Sequence, residues 1–115
     1  MDDCVFCRIG KGEIPSRKVY EDEHVFAFND INPQAPVHIL IIPKRHIASM
    51  AELTEADEAM MGRAMVAAAK LASEHGCTEG FRTIVNTGRI GGQEVYHLHV
   101  HVVGGKEPLP PMLKR

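Results

Sequence analysis

The apolar positions of the chain follow two periods. Over residues 96–103 they alternate with histidine, as Tyr96-His97-Leu98-His99-Val100-His101-Val102-Val103, and alternation with β-branched residues predicts a strand. Successive strand side chains point to opposite faces. His97, His99 and His101 are therefore expected on one face, and Leu98, Val100 and Val102 on the other, against a core. Residues 37–42 are almost wholly apolar and predict a central strand, interrupted by His38. Residues 18–21 and 24–29 predict a hairpin about Asp22-Glu23, and residues 81–86 a further strand. The second period is helical. Leu53, Met60, Met61, Ala64, Met65, Ala68, Leu71 and Ala72 form one apolar stripe, about 21 residues and roughly 30 Å long. Thr54 with Asp57 three residues on is a capping-box start, and His75-Gly76 is a stop. Residues 8–16 predict a short helix or turn ending at glycine and proline. The tail, residues 106–115, carries three prolines and predicts neither strand nor helix.

Three of the seven histidines fall within five positions, which asks for a chemical reason. Next-but-one residues on a strand stand about 7 Å apart, so one metal ion can take two of these rings but hardly all three. A row that long suits a larger anion such as a phosphate, with one imidazole attacking phosphorus and a neighbour holding an oxygen. A shared metal, or simply a polar strand face, are the other readings. The loop Asn86-Thr87-Gly88-Arg89-Ile90-Gly91-Gly92-Gln93-Glu94 leads into the row. Its glycines let backbone N–H groups approach an anion, although a plain connecting loop has the same composition. Asn86 can donate its side-chain amide to a phosphate or leaving group. Asp30, before the proline loop at residues 31–36, either accepts the hydroxyls of a ribose or initiates the turn. His38, alone on an apolar strand, reads as a hydrogen-bonded buried residue and not as a nucleophile.

Cys4-Val5-Phe6-Cys7 is a C-x-x-C, which means metal or redox chemistry, unless the thiols are simply free. No thioredoxin-like surroundings are visible, and no second C-x-x-C exists. A zinc ion would need two more ligands, and His46 and His97 are the candidates. Four protein ligands would make a closed, structural site.

Composition narrows the class. The 115 residues are 44% hydrophobic and 24% charged, ordinary for a single globular domain. A net charge of −2 implies no broad surface for nucleic acid. No apolar run approaches the roughly 20 residues of a membrane span. Three cysteines make a poor disulfide framework, and the acidic start lacks the features of a signal peptide. The expected location is the cytoplasm.

The segment from Gly91-Gly92-Gln93-Glu94 through His97-Leu98-His99-Val100-His101 to Gly104-Gly105 resembles the signature of the histidine-triad (HIT) family, in particular its nucleotide-binding branch, the purine nucleoside phosphoramidases of bacterial type. The resemblance covers the chain from Cys4 to about Leu113. It implies an α+β fold: an antiparallel sheet of about five strands, one long helix, a short N-terminal helix, and a homodimer that extends the sheet. It implies hydrolysis of purine nucleoside 5′-phosphoramidates through a nucleotidyl-histidine, with His99 as nucleophile, His101 steadying a phosphate oxygen and His38 orienting the active rings. Phe6, Ile9, Ile14 and Ile31 would flank the purine and Asp30 the ribose. Asn86, Gly92 and the backbone of Glu94 would hold the phosphate. Cys4, Cys7, His46 and His97 match the zinc ligands of some members, and no catalytic cofactor is implied. Such tails reach toward the partner subunit's site. Where animal members carry serine, this chain has Glu94, so the side-chain role there does not transfer. A nucleotide-binding regulatory module is the alternative from another class. A dinucleoside polyphosphate hydrolase is the rival enzyme, although that branch more usually has glutamine where this chain has Val103.

Overall fold

The sheet is built outward from its most apolar strand. In the computed structural model, which describes residues 3–113, β1 (Lys18–Glu21), β2 (Val25–Asn29), β3 (Val37–Pro43), β4 (Phe81–Ile84) and β5 (Val100–Gly104) form one antiparallel sheet of order β1-β2-β3-β5-β4. The nearly unbroken apolar run becomes the central strand, as its composition requires. Asp22 makes the first turn: its Oδ1 accepts from the backbone N–H groups of His24 at 2.7 Å and Val25 at 2.9 Å, and the Tyr20 hydroxyl donates to Oδ2 at 2.6 Å.

The strand alternation divides β3 between two cores. Ile39 and Ile41 join Val25, Ala27, Val100 and Val102 beneath α2 (Glu58–Glu74). Leu40 and Ile42 join Phe26 and Phe28 on the other side, under α1 (Val5–Gly10) with its Phe6 and Ile9. Cross-strand partners share a face. The pairs Phe28↔Leu40 and Leu40↔His101 therefore put His101 on the α1 side, and His38 lies there too, two residues before Leu40. The sheet thus has a packing face and a chemical face.

α2 is preceded by a 3-10 turn, Glu55–Asp57, and the capping box forms: Thr54 Oγ1 accepts from Ala56 N, while Asp57 Oδ2 accepts from Thr54 N. The helix buries a narrower stripe than expected. Ala64, Ala67, Ala68, Leu71 and Ala72 face the sheet, whereas Met65 is 41% exposed. The alanines bring the helix axis close to the strands, so a long side chain one step off the stripe is left outside.

Several boundaries differ from the sequence expectation. α2 runs 17 residues where about 21 are expected, its lead-in being the 3-10 turn. The histidine strand begins at Val100 rather than at residue 96, so neither His97 nor His99 lies on it. The register that sets Val100 opposite Ile41 would set Leu98 opposite Pro43, and proline has no N–H to continue the ladder. β4 stops at Ile84, paired with His101, and the same register would set Asn86 opposite residue 99, outside β5. The short helix starts at Val5 rather than at residue 8, since Cys4 caps it: its Sγ accepts from Cys7 N at 3.4 Å. Residues 106–113 form neither strand nor helix, and Arg82 Nη1 holds them by donating to the Pro110 carbonyl at 2.9 Å. No described helix is long and apolar enough to cross a membrane.

Candidate active site

A cavity of about 670 Å³ opens on the chemical face of the sheet, within the roughly 300–1,000 Å³ of small-molecule sites. Its apolar lining is Phe6, Ile9, Phe28 and Leu40, with the 84% exposed Ile31. Its polar lining is His38, His99, His101, Asn86, Gly92 and Glu94, with Asp30. The two interleave, since Leu40 stands opposite His101 in the ladder and the Phe6 ring meets that of His99. Ile14 does not line it; it packs behind, against the Phe6 and Phe28 cluster. Phe28 and Leu40 were not legible as site residues from sequence. The signal that finds them is strand register, because both stand in line with His101.

The hydrogen bonds assign the protons. Gln34 N–H donates to His38 Nδ1 at 3.0 Å, so the proton of a neutral His38 sits on Nε2. That Nε2 lies 2.9 Å from His101 Nδ1 and donates to it. The remaining proton of a neutral His101 is then on Nε2, on the far side of the ring from His38. His99 Nδ1 is 2.7 Å from the His97 carbonyl. A carbonyl only accepts, so Nδ1–H donates and Nε2 keeps a free lone pair. Phe6 meets the His99 ring edge to face at 5.1 Å. Burial, and then the neighbouring His99 and His38 rings, push His101 down to about 4 against the pull of Asp30. Burial lowers His38 as well, again opposed by Asp30. Both rings are neutral near pH 7.

Asp30 serves two structural ends. Its Oδ1 accepts from Asn32 N at 2.8 Å, the turn contact, and its Oδ2 stands 3.4 Å from His38 Nε2. Asp30, His38 and His101 converge closely enough to suggest a metal site. The polarity of the His38 bonds argues for a proton there instead, since Nδ1 already accepts an N–H and Nε2 must be protonated.

Cys4, Cys7, His46 and His97 form a second cluster, with their ligand atoms within 4.8 Å of one another. His97 Nδ1 is 3.4 Å from each sulfur, and His46 Nδ1 is 3.2 Å from Cys7 Sγ. A tetrahedral zinc with ordinary bond lengths sets sulfur and nitrogen about 3.6 Å apart, so a small inward spacing accounts for the difference. The His97 tautomer fits as well: Nε2 donates to the Pro43 carbonyl at 2.8 Å, which leaves Nδ1 free for a ligand. Burial, then Cys4, push the Cys7 thiol up, as expected for sulfurs crowded together. The ladder break at Pro43 thus does two things: it ends the strand and supplies the carbonyl that aims His97 at the thiols.

The tail forms the wall of an adjoining cavity of about 390 Å³, where Leu109 to Met112 face His38, Asn86 and His101 of the same chain.

The chain matches the model of the HIT domain over residues 11–108. It is 50% identical to the purine nucleoside phosphoramidase of Escherichia coli over 113 residues, 97% of this chain and 94% of that one. A HIT family hydrolase from Clostridium thermocellum superposes with a TM-score of 0.92 at 48% identity, covering 98% and 99% of the two chains. A zinc-bound histidine triad family protein from Mycobacterium smegmatis superposes with a TM-score of 0.79 at 34% identity, covering 91% of this chain and 76% of the other.

Proposed function

The chain belongs to the HIT family, and from that premise we propose that it hydrolyses purine nucleoside 5′-phosphoramidates through a nucleotidyl-histidine. The observation that carries the reading is the His99 tautomer: an imidazole that lines the cavity, its Nδ1–H tied to a carbonyl and its Nε2 lone pair free. His99 Nε2 attacks the α-phosphorus, the P–N bond breaks, and the departing amine takes one proton from water at the exposed Glu94 side. His101 Nε2–H, the Asn86 amide and the Glu94 backbone N–H hold phosphoryl oxygens beside Gly92, whose own N–H is donated to the Arg89 carbonyl. The hydroxide left by that water, or a second water that gives it a proton, then attacks phosphorus, the bond to His99 breaks, and the nucleoside monophosphate leaves. Asp30 takes the ribose, and Phe6, Ile9, Phe28 and Ile31 the base. His38 keeps His101 in its donor form.

Charge favours this substrate class over a dinucleoside polyphosphate. Among the described residues lining the cavity there is no lysine or arginine, and there are two carboxylates. A phosphoramidate carries one negative charge at phosphorus, whereas a polyphosphate would bring several into a cavity without cations.

Cys4, Cys7, His46 and His97 would hold a structural zinc, whose chemistry here is to cross-link the N-terminal segment to the histidine segment. The catalytic steps call on no cofactor. We assign a homodimer that lengthens the sheet at β4, whose edge, like Met65 and the 60% exposed Val66, is uncovered in the single chain. Three free cysteines fit the cytoplasm. Neither nucleic acid nor a membrane surface is among the proposed partners.

The test is turnover of an adenosine 5′-phosphoramidate with a fluorescent amine. His99→Ala should lower kcat by at least a thousandfold and leave the Kd for AMP within threefold, and quenched wild-type enzyme should carry an adenylyl group on His99. Turnover in His99→Ala equal to wild type would reject the assignment.

A further inference from the structure

The glycine loop is turned by its own main chain: Gly91 N–H donates to the Thr87 carbonyl at 3.2 Å and Gly92 N–H to the Arg89 carbonyl at 3.1 Å. Gly88 and Gly92 have φ of +68° and +77°, backbone that other residues rarely adopt. A Cβ on Gly91 would lie 2.5 Å from the Thr87 carbonyl. The loop's one large apolar side chain, Ile90, is 86% exposed. A side chain, Gln93, ties it to the rest of the fold. Gln93 is 7% exposed between two exposed neighbours that line the cavity, Gly92 and Glu94. Its Oε1 accepts from Gly88 N at 2.9 Å while its own backbone N–H donates to the Gly88 carbonyl at 3.0 Å. Its Nε2 donates to the Ala48 carbonyl at 2.8 Å and the Val95 carbonyl at 2.9 Å. Both amide protons are used.

The anchor at Ala48 has a further meaning. The adjacent carbonyl, Ile47, accepts from Leu98 N at 2.7 Å, and Leu98 lies between His97 and His99. The Ile47-Ala48 pair therefore fixes both the glycine loop, through Gln93, and the segment that carries the attacking ring, through the main chain. We propose that Gln93 is a positioning residue that holds the adjoining Glu94 amide in register with His99 by referring both to this one strut. The inference rests on the reading that this amide meets the phosphate.

Two variants test it. Gln93→Leu roughly keeps the volume and makes none of the three side-chain hydrogen bonds. Gln93→Glu keeps an acceptor for Gly88 but faces the Ala48 and Val95 carbonyls with no N–H. Adenosine uses only the base and ribose contacts, so its Kd should stay within twofold in either variant. The preference for AMP over adenosine should shrink at least tenfold, kcat for the phosphoramidate should fall at least tenfold, and hydrogen exchange at the Gly88 amide should quicken. A general loss of stability weakens both ligands alike and leaves the AMP-to-adenosine ratio unmoved. An unchanged ratio and unchanged Gly88 exchange in a folded variant overturn the proposal. Should Gln93→Leu not fold, Gln93→Glu carries the comparison. If wild type itself binds AMP no better than adenosine, the functional reading fails, and Gly88 exchange alone then decides whether Gln93 fastens the loop.

Discussion

His101 is a residue whose environment holds it neutral, and the cost of that appears in acid. An unfolded histidine titrates near 6.5, while burial and its two neighbouring rings bring His101 down to about 4 and lower His38 too. About a unit or more above pH 6.5 both states are nearly deprotonated at these sites and little depends on pH. Below it the unfolded chain gains protons that the folded chain refuses, so stability falls as pH drops from 6.5 toward 4. Urea unfolding at pH 7, 5.5 and 4.5 should show a declining midpoint, with His101 accounting for at most about 3 kcal/mol by pH 4. His101→Gln should flatten part of that slope, and a midpoint independent of pH over this range would contradict the assigned environment. At this scale the sequence is readable where chemistry is concentrated. The alternating histidines and the C-x-x-C can be found because few other reasons place such residues so close. Phe28 and Leu40 could not be found that way, because they belong to the site only through pairing across three strands. Gln93 is hidden for a related reason: its partner at Ala48 is a main-chain carbonyl 45 positions away, and a carbonyl leaves no mark in a sequence.

Elements were legible to the extent that their signals are local. The capping box at Thr54 is a four-residue pattern, and the structure forms it. Thr54→Ala removes the acceptor for Ala56 N but leaves Asp57, which also receives the Arg45 guanidinium. The expected loss is about 1 kcal/mol of stability with phosphoramidate turnover unchanged, read from urea midpoints beside initial rates. A loss of activity without a loss of stability would mean that the helix start reaches the site in some unrecognised way. Where an element depends on its neighbour, the local signal overshoots. The alternation at residues 96–103 is real, yet a strand persists only while its partner can donate, and Pro43 ends the pairing. In the same way the helical stripe named Met65, because periodicity alone does not register that a row of alanines leaves room only for a narrow contact.

For the whole molecule the question is what joins the N-terminal helix to the rest. α1 rests on the chemical face through Phe6 and Ile9, and its capping Cys4 and buried Cys7 meet His46 and His97. A metal ion there would join residues more than ninety positions apart in sequence. Removing it with a chelator should lower the melting temperature by on the order of 10 °C, and zinc should restore it. Activity per folded molecule at a low temperature should change far less, since the closed site offers no coordination position to substrate. A chelator that abolishes turnover while leaving melting untouched would contradict the structural role.

The tautomers in the cavity have one further consequence. His99 is set by the carbonyl of His97 and His38 by the amide of Gln34, and both are peptide groups that every residue type except, for the amide, proline supplies. The polarity of the acid–base array is thus written into the path of the main chain. Relatives can exchange the walls around these rings, and with them the preferred guest, without resetting which nitrogen gives and which receives.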